Sequence, residues 1–165
     1  MRVGDAGTRR TGRRLARMSS TPLPRYPGMR QPESIIWDTW KAAVGIRFDD
    51  VQYNVAVGEG ITPNPLHSAA VQAMAIKNSQ RKVDVVYRVG TERTIVEVKE
   101  RAQFGSIGQL LGYQHIWMQD HPGEPAPRML LLTNRLSPGV QSAAVRYGIT
   151  VVVQPADFGG LQGRV

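Results

Sequence analysis

The segment from Arg81 to Lys99 constrains this chain most. Two valine- and isoleucine-rich runs, Arg81 to Tyr87 and Arg93 to Lys99, are joined through Val89-Gly90-Thr91-Glu92 and read as a β-hairpin. Glycine at the first central position of a two-residue Gly90-Thr91 turn suits type II′. The numbers of cross-strand partners then sum to 181, which sets Asp84 opposite Glu97. A four-residue loop from Val89 to Glu92 keeps that register, whereas an odd loop or a bulge would break it.

Directly opposed carboxylates, with Cβ atoms about 4.5 to 5.5 Å apart, repel each other, so the pair needs a bound cation or a shared proton. A hard divalent cation fits best, because Mg²⁺ is commonly held by one or two carboxylates plus water and substrate phosphate. Strand alternation puts Glu97 and Lys99 on one face and turns Val96 and Val98 into the core. Lys99 would then stabilise negative charge developing on a phosphate or orient the attacking water, and the backbone carbonyl of Val98 is a further candidate ligand.

The rest of the chain supplies layers around this hairpin. Apolar spacing predicts a helix over Glu33 to Val44, with Ile36, Trp37, Trp40 and Val44 on one side and Pro32 and Glu33 in its first turn. Phe48 to Val57 alternates as a strand, Gly58 to Pro65 is a loop, and Leu66 to Ile76 a helix. Ser106 to Gln119 is predicted as a helix burying Ile107, Leu110, Leu111, Gln114, Trp117 and Met118. Met129 to Thr133 follows as a strand, Ser137 to Tyr147 as a helix and Ile149 to Val153 as a last strand. An antiparallel hairpin followed by a parallel strand-helix-strand unit predicts an α/β fold with a mixed central sheet flanked by helices.

Charge is concentrated at one end. Residues 1 to 30 hold eight arginines and one acid, Asp5, while the remaining thirteen basic and twelve acidic side chains nearly cancel. This predicts a basic arm over 1–30, unable to fold alone and either disordered or partner-bound, then one domain over 31–158 and a tail over 159–165. Arg9, Arg10, Arg13, Arg14 and Arg17 would share a helical stripe suited to a nucleic-acid backbone or another polyanion. A solvated tail and an organelle transit peptide are the competing readings of the arm. No cysteine is present and the three histidines lack metal-ligand spacing, which argues against thiolate or zinc chemistry. Without an apolar run long enough to span a bilayer, the expectation is a soluble, intracellular protein with no membrane partner.

Asp84, twelve intervening residues and then Glu97-Val98-Lys99 resemble the paired acidic and E-x-K elements of the PD-(D/E)xK phosphodiesterase superfamily. Gln109-Leu110-Leu111-Gly112-Tyr113 resembles the Q-x-x-x-Y element of its RecB-like and phage-exonuclease-like branches, and four-residue spacing puts Gln109 and Tyr113 on one helix face. The resemblance covers roughly residues 32 to 155, with Val83 in place of the nominal proline. It implies a restriction-endonuclease-like core and hydrolysis of DNA phosphodiester bonds with Mg²⁺, Mn²⁺ being a substitute. Asp84, Glu97 and Lys99 would be catalytic and Gln109 and Tyr113 would position substrate. Glu33, the acid in the first helix, would be a further metal ligand, and phage or mobile-element DNA processing is the implied setting.

Alone, Glu97-Val98-Lys99 is an ordinary alternating surface triplet, and Gln109 with Tyr113 could be an exposed polar pair. Their joint order carries the enzyme reading. The competing class is a non-catalytic assembly or DNA-binding protein that keeps this fold, as a homo-oligomer or a component of a virion or packaging complex. The near-neutral core suits that alternative.

Overall fold

The computed structural model describes residues 22–156 and residue 158. Its elements are α1 (Gln31–Val44), β1 (Asp50–Val57), α2 (Ala69–Ser79), β2 (Arg81–Val89), β3 (Glu92–Ala102), α3 (Phe104–Asp120), β4 (Arg128–Leu136), α4 (Val140–Arg146) and β5 (Ile149–Val153). The arm arginines Arg9, Arg10, Arg13, Arg14 and Arg17 lie outside the described residues.

The strands form one sheet in the order β1-β2-β3-β4-β5. β1, β2 and β3 run antiparallel to their neighbours, and β3, β4 and β5 run parallel. The predicted mixed sheet is therefore the observed one. Gly90 turns the hairpin at φ 60, and the β2–β3 register runs from Val89↔Glu92 to Val85↔Val96, the predicted pairing.

Helices cover both sheet faces. On one side α1 lays Ile36, Trp37 and Trp40 on Val85, Val96, Val98, Leu130 and Leu132. On the other side α3 and α4 bury Ile107, Leu110, Val140 and Ala144 against Met129, Leu131 and Ile149. Tyr113 and Trp117 pack there with Val57, Val83, Val86 and Ile95. Because both faces are covered, β3 is buried continuously from Thr94 to Val98, rather than alternating between core and solvent. Tyr26 and Met29 also pack on the α1-side cluster, and Tyr26 stacks on Tyr53. Contacts with the domain therefore extend N-terminally of residue 31.

Several predicted details are corrected. α2 starts at Ala69, where the Ser68 hydroxyl accepts from the Val71 N–H, and it buries none of its residues. Met118 is 49% exposed, not part of the buried side of α3. α4 starts at Val140 because Gly139, at φ 79, closes a turn over Ser137 and Pro138. Phe48 precedes β1 and stacks edge-on against Tyr87.

Candidate active site

The row of the sheet that contains Asp84 is irregular. The β1–β2 register passes from Tyr53↔Val85 directly to Val55↔Val83, omitting Asn54 and Asp84, and the β2–β3 register stops one row short of Asp84. Asn54 has φ 52, the only positive φ among the described non-glycine residues. Asparagine tolerates that left-handed backbone better than most residues.

Side-chain direction switches at the same row. Val51 and Tyr53 join the α1-side cluster, whereas Val55 joins the α3-side cluster with Val57. On β2, Val85 belongs to the first cluster and Val83 to the second. Residues two apart on a regular strand would share a face. Asp84 thus occupies a break in the pleat, and its side chain takes over a main-chain role: Oδ2 accepts the Val98 N–H at 2.9 Å.

Glu97 is 1% exposed, and its Oε2 has no hydrogen-bond donor. Lys99 Nζ lies 2.5 Å from Oε1, in direct ion-pair contact. Burial, then the charge of Asp84, pushes the Glu97 carboxyl up to about 7. Burial also raises Asp84, against the lowering effects of the Val98 N–H and Lys99. For Lys99, burial acts to lower the pKa, but the combined charges of Glu97, Asp84 and Glu33 outweigh it and the net shift is upward. The molecule has therefore enclosed two interacting carboxyl groups with one partly exposed ammonium.

Glu33, on the first turn of α1, acts electrostatically on Asp84, Glu97 and Lys99, which places it at the border of this group. Both of its oxygens are engaged by Arg30: the Arg30 backbone N–H donates to Oε2 at 2.8 Å, and Nε and Nη2 donate to Oε1 at 3.1 and 2.7 Å. Among the described residues no group of three or more His, Asp or Glu side chains is arranged to hold a metal ion. Two carboxylates remain within the number with which Mg²⁺ is commonly held, water and substrate oxygens filling the other positions. The buried carboxylate of Glu97, with Oε2 undonated and a second carboxylate beside it, fits such a cation.

From α3, Tyr113 reaches this group. It is 7% exposed, and burial together with the charges of Glu97 and Asp84 raises its pKa. Gln109 Nε2 donates to the Tyr113 hydroxyl at 3.5 Å, a weak bond at the limit of hydrogen-bond length. A cleft of about 460 Å³ opens beside them, lined also by Arg81 and by Gly105, Gly108 and Gly112. At all three glycines a Cβ would meet nothing within 4 Å, so they face open space rather than a close approach to the sheet. His115 is exposed, and Trp37, Trp40 and Trp117 are core residues. Thr133 is also structural: its hydroxyl accepts the Ala102 N–H at 3.1 Å and donates to the Arg135 carbonyl at 2.8 Å.

The sequence reading missed two contributors. Arg30 could have been found from its three-residue spacing to Glu33. Asn54 carried a weaker signal, an αL-tolerant residue in the middle of an alternating strand.

No protein-family model matches the chain, and no curated protein does. Among solved structures, a repair endonuclease from Pyrococcus abyssi is similar at a TM-score of 0.50 and 14% identity, over 76% of this chain and 47% of that one. This chain spans about half the length of that endonuclease. Can2 from Sulfobacillus thermosulfidooxidans, in complex with cyclic tetra-adenylate, matches at 0.47 and 11% identity, over 76% of this chain and 32% of that one. An EndoMS–dsDNA complex matches at 0.38 and 16% identity, over 60% and 38%. With its mixed five-stranded sheet between helices, the chain has an α/β core of the restriction-endonuclease-like kind. Among the described residues no helix is long and apolar enough to cross a membrane.

Proposed function

We propose that this protein is a metal-dependent nuclease hydrolysing DNA phosphodiester bonds, with Asp84 and Glu97 holding Mg²⁺ or Mn²⁺ and the Val98 carbonyl as a further ligand. The observation that carries the reading is Glu97: a carboxylate 1% exposed and next to a second carboxylate, so that two acidic groups share the single ammonium of Lys99. Burying charge this way is expensive unless something pairs with it. The likeness of the fold to a repair endonuclease supports the choice of chemistry.

When bound, the cation would supply Lewis-acid stabilisation of phosphoryl oxygens and make the attacking water more acidic. Asp84, fixed by the Val98 N–H, keeps its remaining oxygen at the site. Lys99, held against Glu97, sets an ammonium where negative charge develops on the phosphate. Tyr113 and Gln109 form the wall beside the cleft and position substrate. Their Q-x-x-x-Y spacing supports a RecB-like or phage-exonuclease-like branch and, with it, phage or mobile-element DNA processing. Glu33 supports the site from its border, and the arm arginines Arg9, Arg10, Arg13, Arg14 and Arg17 add non-specific DNA affinity.

The test is incubation of the purified protein with linear, circular and single-stranded DNA in Mg²⁺, Mn²⁺ or EDTA. Cleavage that requires the cation supports the reading, and cutting of circles makes the activity endonucleolytic. Folded protein that cuts nothing overturns it.

One observation favours a second reading, a non-catalytic assembly component. α2 buries nothing, and Leu66, Val71 and Met74 are 89%, 47% and 62% exposed. Light scattering that shows a large, stable oligomer without cleavage would favour this reading, whereas a cutting monomer or dimer would reject it.

A further inference from the structure

A site built from buried carboxylates repels a polyanion until a cation offsets it, so a nuclease of this design needs exposed positive charge at the mouth of the site. Lys99 meets that need poorly: its side chain is 27% exposed and already lies against Glu97. Arg30 has the complementary properties. Its side chain is 69% exposed, while the Glu33 side chain that grips it is 7% exposed.

The grip is one-sided. Nε and one hydrogen of Nη2 are directed to Glu33 Oε1, and the backbone N–H of the same residue is tied to Oε2. Among the described residues the guanidinium makes no other hydrogen bond or ion pair. A guanidinium carries more N–H donors than the two that Glu33 uses, and they lie in one plane as a rigid fork. The second edge of the fork is therefore pre-oriented and solvent-facing. Asp84 and Glu100 both act electrostatically on Arg30.

We infer that Arg30 receives a backbone phosphate of the DNA substrate through the free edge of its guanidinium, with Glu33 as the anchor that fixes its orientation. The assignment rests on the nuclease reading and adds a substrate-binding residue to it. A planar, bidentate contact to phosphate is what an anchored arginine supplies and a lysine cannot.

The experiment is a fluorescence-anisotropy titration of a DNA duplex in EDTA, across a range of NaCl, with full-length wild-type, Arg30→Ala and Arg30→Lys proteins, each checked by circular dichroism and thermal unfolding. Loss of one phosphate contact should lower the slope of log affinity against log salt by about one for Arg30→Ala and weaken binding roughly tenfold at moderate salt. Arg30→Lys should keep the slope and bind several-fold more weakly than wild type, since charge returns without the fork. If wild-type protein binds DNA and Arg30→Ala binds with the same slope, the assignment is wrong. A lower melting temperature with an unchanged slope would show a helix-cap role alone and would equally overturn it. Wild-type protein that binds no DNA in this titration and cuts none in Mg²⁺ or Mn²⁺ removes the nuclease reading itself.

Discussion

Asp84 Oδ2 accepts the main-chain N–H of Val98 at 2.9 Å, so a side chain stands where the β2–β3 ladder has ended. The contact fixes one carboxylate oxygen and satisfies a donor between Glu97 and Lys99. Asp84→Asn should retain the hydrogen bond through its amide oxygen and unfold at nearly the wild-type denaturant concentration. Asp84→Ala leaves the N–H unpaired, for which a penalty of about 1 to 3 kcal/mol is typical. Urea denaturation of the two variants at pH 6 should rank Asn above Ala, and equal stabilities would contradict the structural role.

Glu97 links the site to pH. Its folded carboxyl is pushed up to about 7 from the ordinary value of 4.5, so between those values the folded state holds a proton that the unfolded state releases. Glu97 accordingly costs the metal-free protein nothing below about 4.5 and destabilises it increasingly as pH rises towards 7. Removing the charge in Glu97→Gln should flatten this dependence and stabilise the protein at pH 8 by on the order of 1 to 3 kcal/mol. Chemical denaturation in EDTA at pH 5, 6, 7 and 8 reads the slope, and a wild-type stability that rises across that range would be the wrong sign.

A divalent cation should reverse that penalty. At pH 8, millimolar Mg²⁺ should raise the wild-type melting temperature through preferential binding to the folded state, and Glu97→Gln should lose most of the response. An equal Mg²⁺ shift in both proteins would move the cation away from this pair.

The break in the pleat depends on backbone that few residues adopt. Asn54→Gly should be nearly neutral, whereas Asn54→Val should destabilise by about 1 to 2 kcal/mol, because a β-branched residue resists φ 52. Gly28→Ala should also destabilise, since its φ is +79 and a Cβ there would stand 2.7 Å from Asn54 Oδ1. Unfolding free energies of the three proteins check the order.

The arm makes a separate prediction. Deleting residues 1–21 keeps Tyr26, which stacks on Tyr53 and donates to Asp38 at 2.6 Å, so the domain should fold unchanged. Its DNA affinity should become less salt-dependent. An unchanged salt slope would discard a DNA role for Arg9, Arg10, Arg13, Arg14 and Arg17.

Much of this was legible in the chain because local rules act strongly there. The Gly90-Thr91 turn fixes an even loop, and from that loop the β2–β3 pairing follows as far as Val85↔Val96; the expected next pair, Asp84 opposite Glu97, falls where the ladder has ended and Asp84 turns to the Val98 N–H. The parallel β4–β5 pair followed from the helix between two short apolar strands, and the structure adds β3 parallel to β4. What stayed hidden was set by tertiary context. Glu97 looks like one residue of an exposed alternating face, and its burial follows only from helices covering both faces of the sheet. The switch of faces at Asn54 has no periodic signature, because the pattern on each side of it is regular. Met118 was assigned to the core by its spacing, but α3 turns it outward. Arg30 fell just outside the expected domain boundary, so its three-residue spacing to Glu33 passed unused.

The central claim is that the carboxylate pair with Lys99 exists to cut DNA with a divalent cation. The most direct measurement is the single-turnover cleavage rate of duplex DNA at pH 8 in Mg²⁺ for wild type, Glu97→Gln and Lys99→Ala, with DNA binding of each confirmed in EDTA. The account predicts wild-type cleavage abolished by EDTA, with losses of at least roughly a hundredfold in both variants while binding persists. Cleavage that survives Glu97→Gln and Lys99→Ala at the wild-type rate would contradict it.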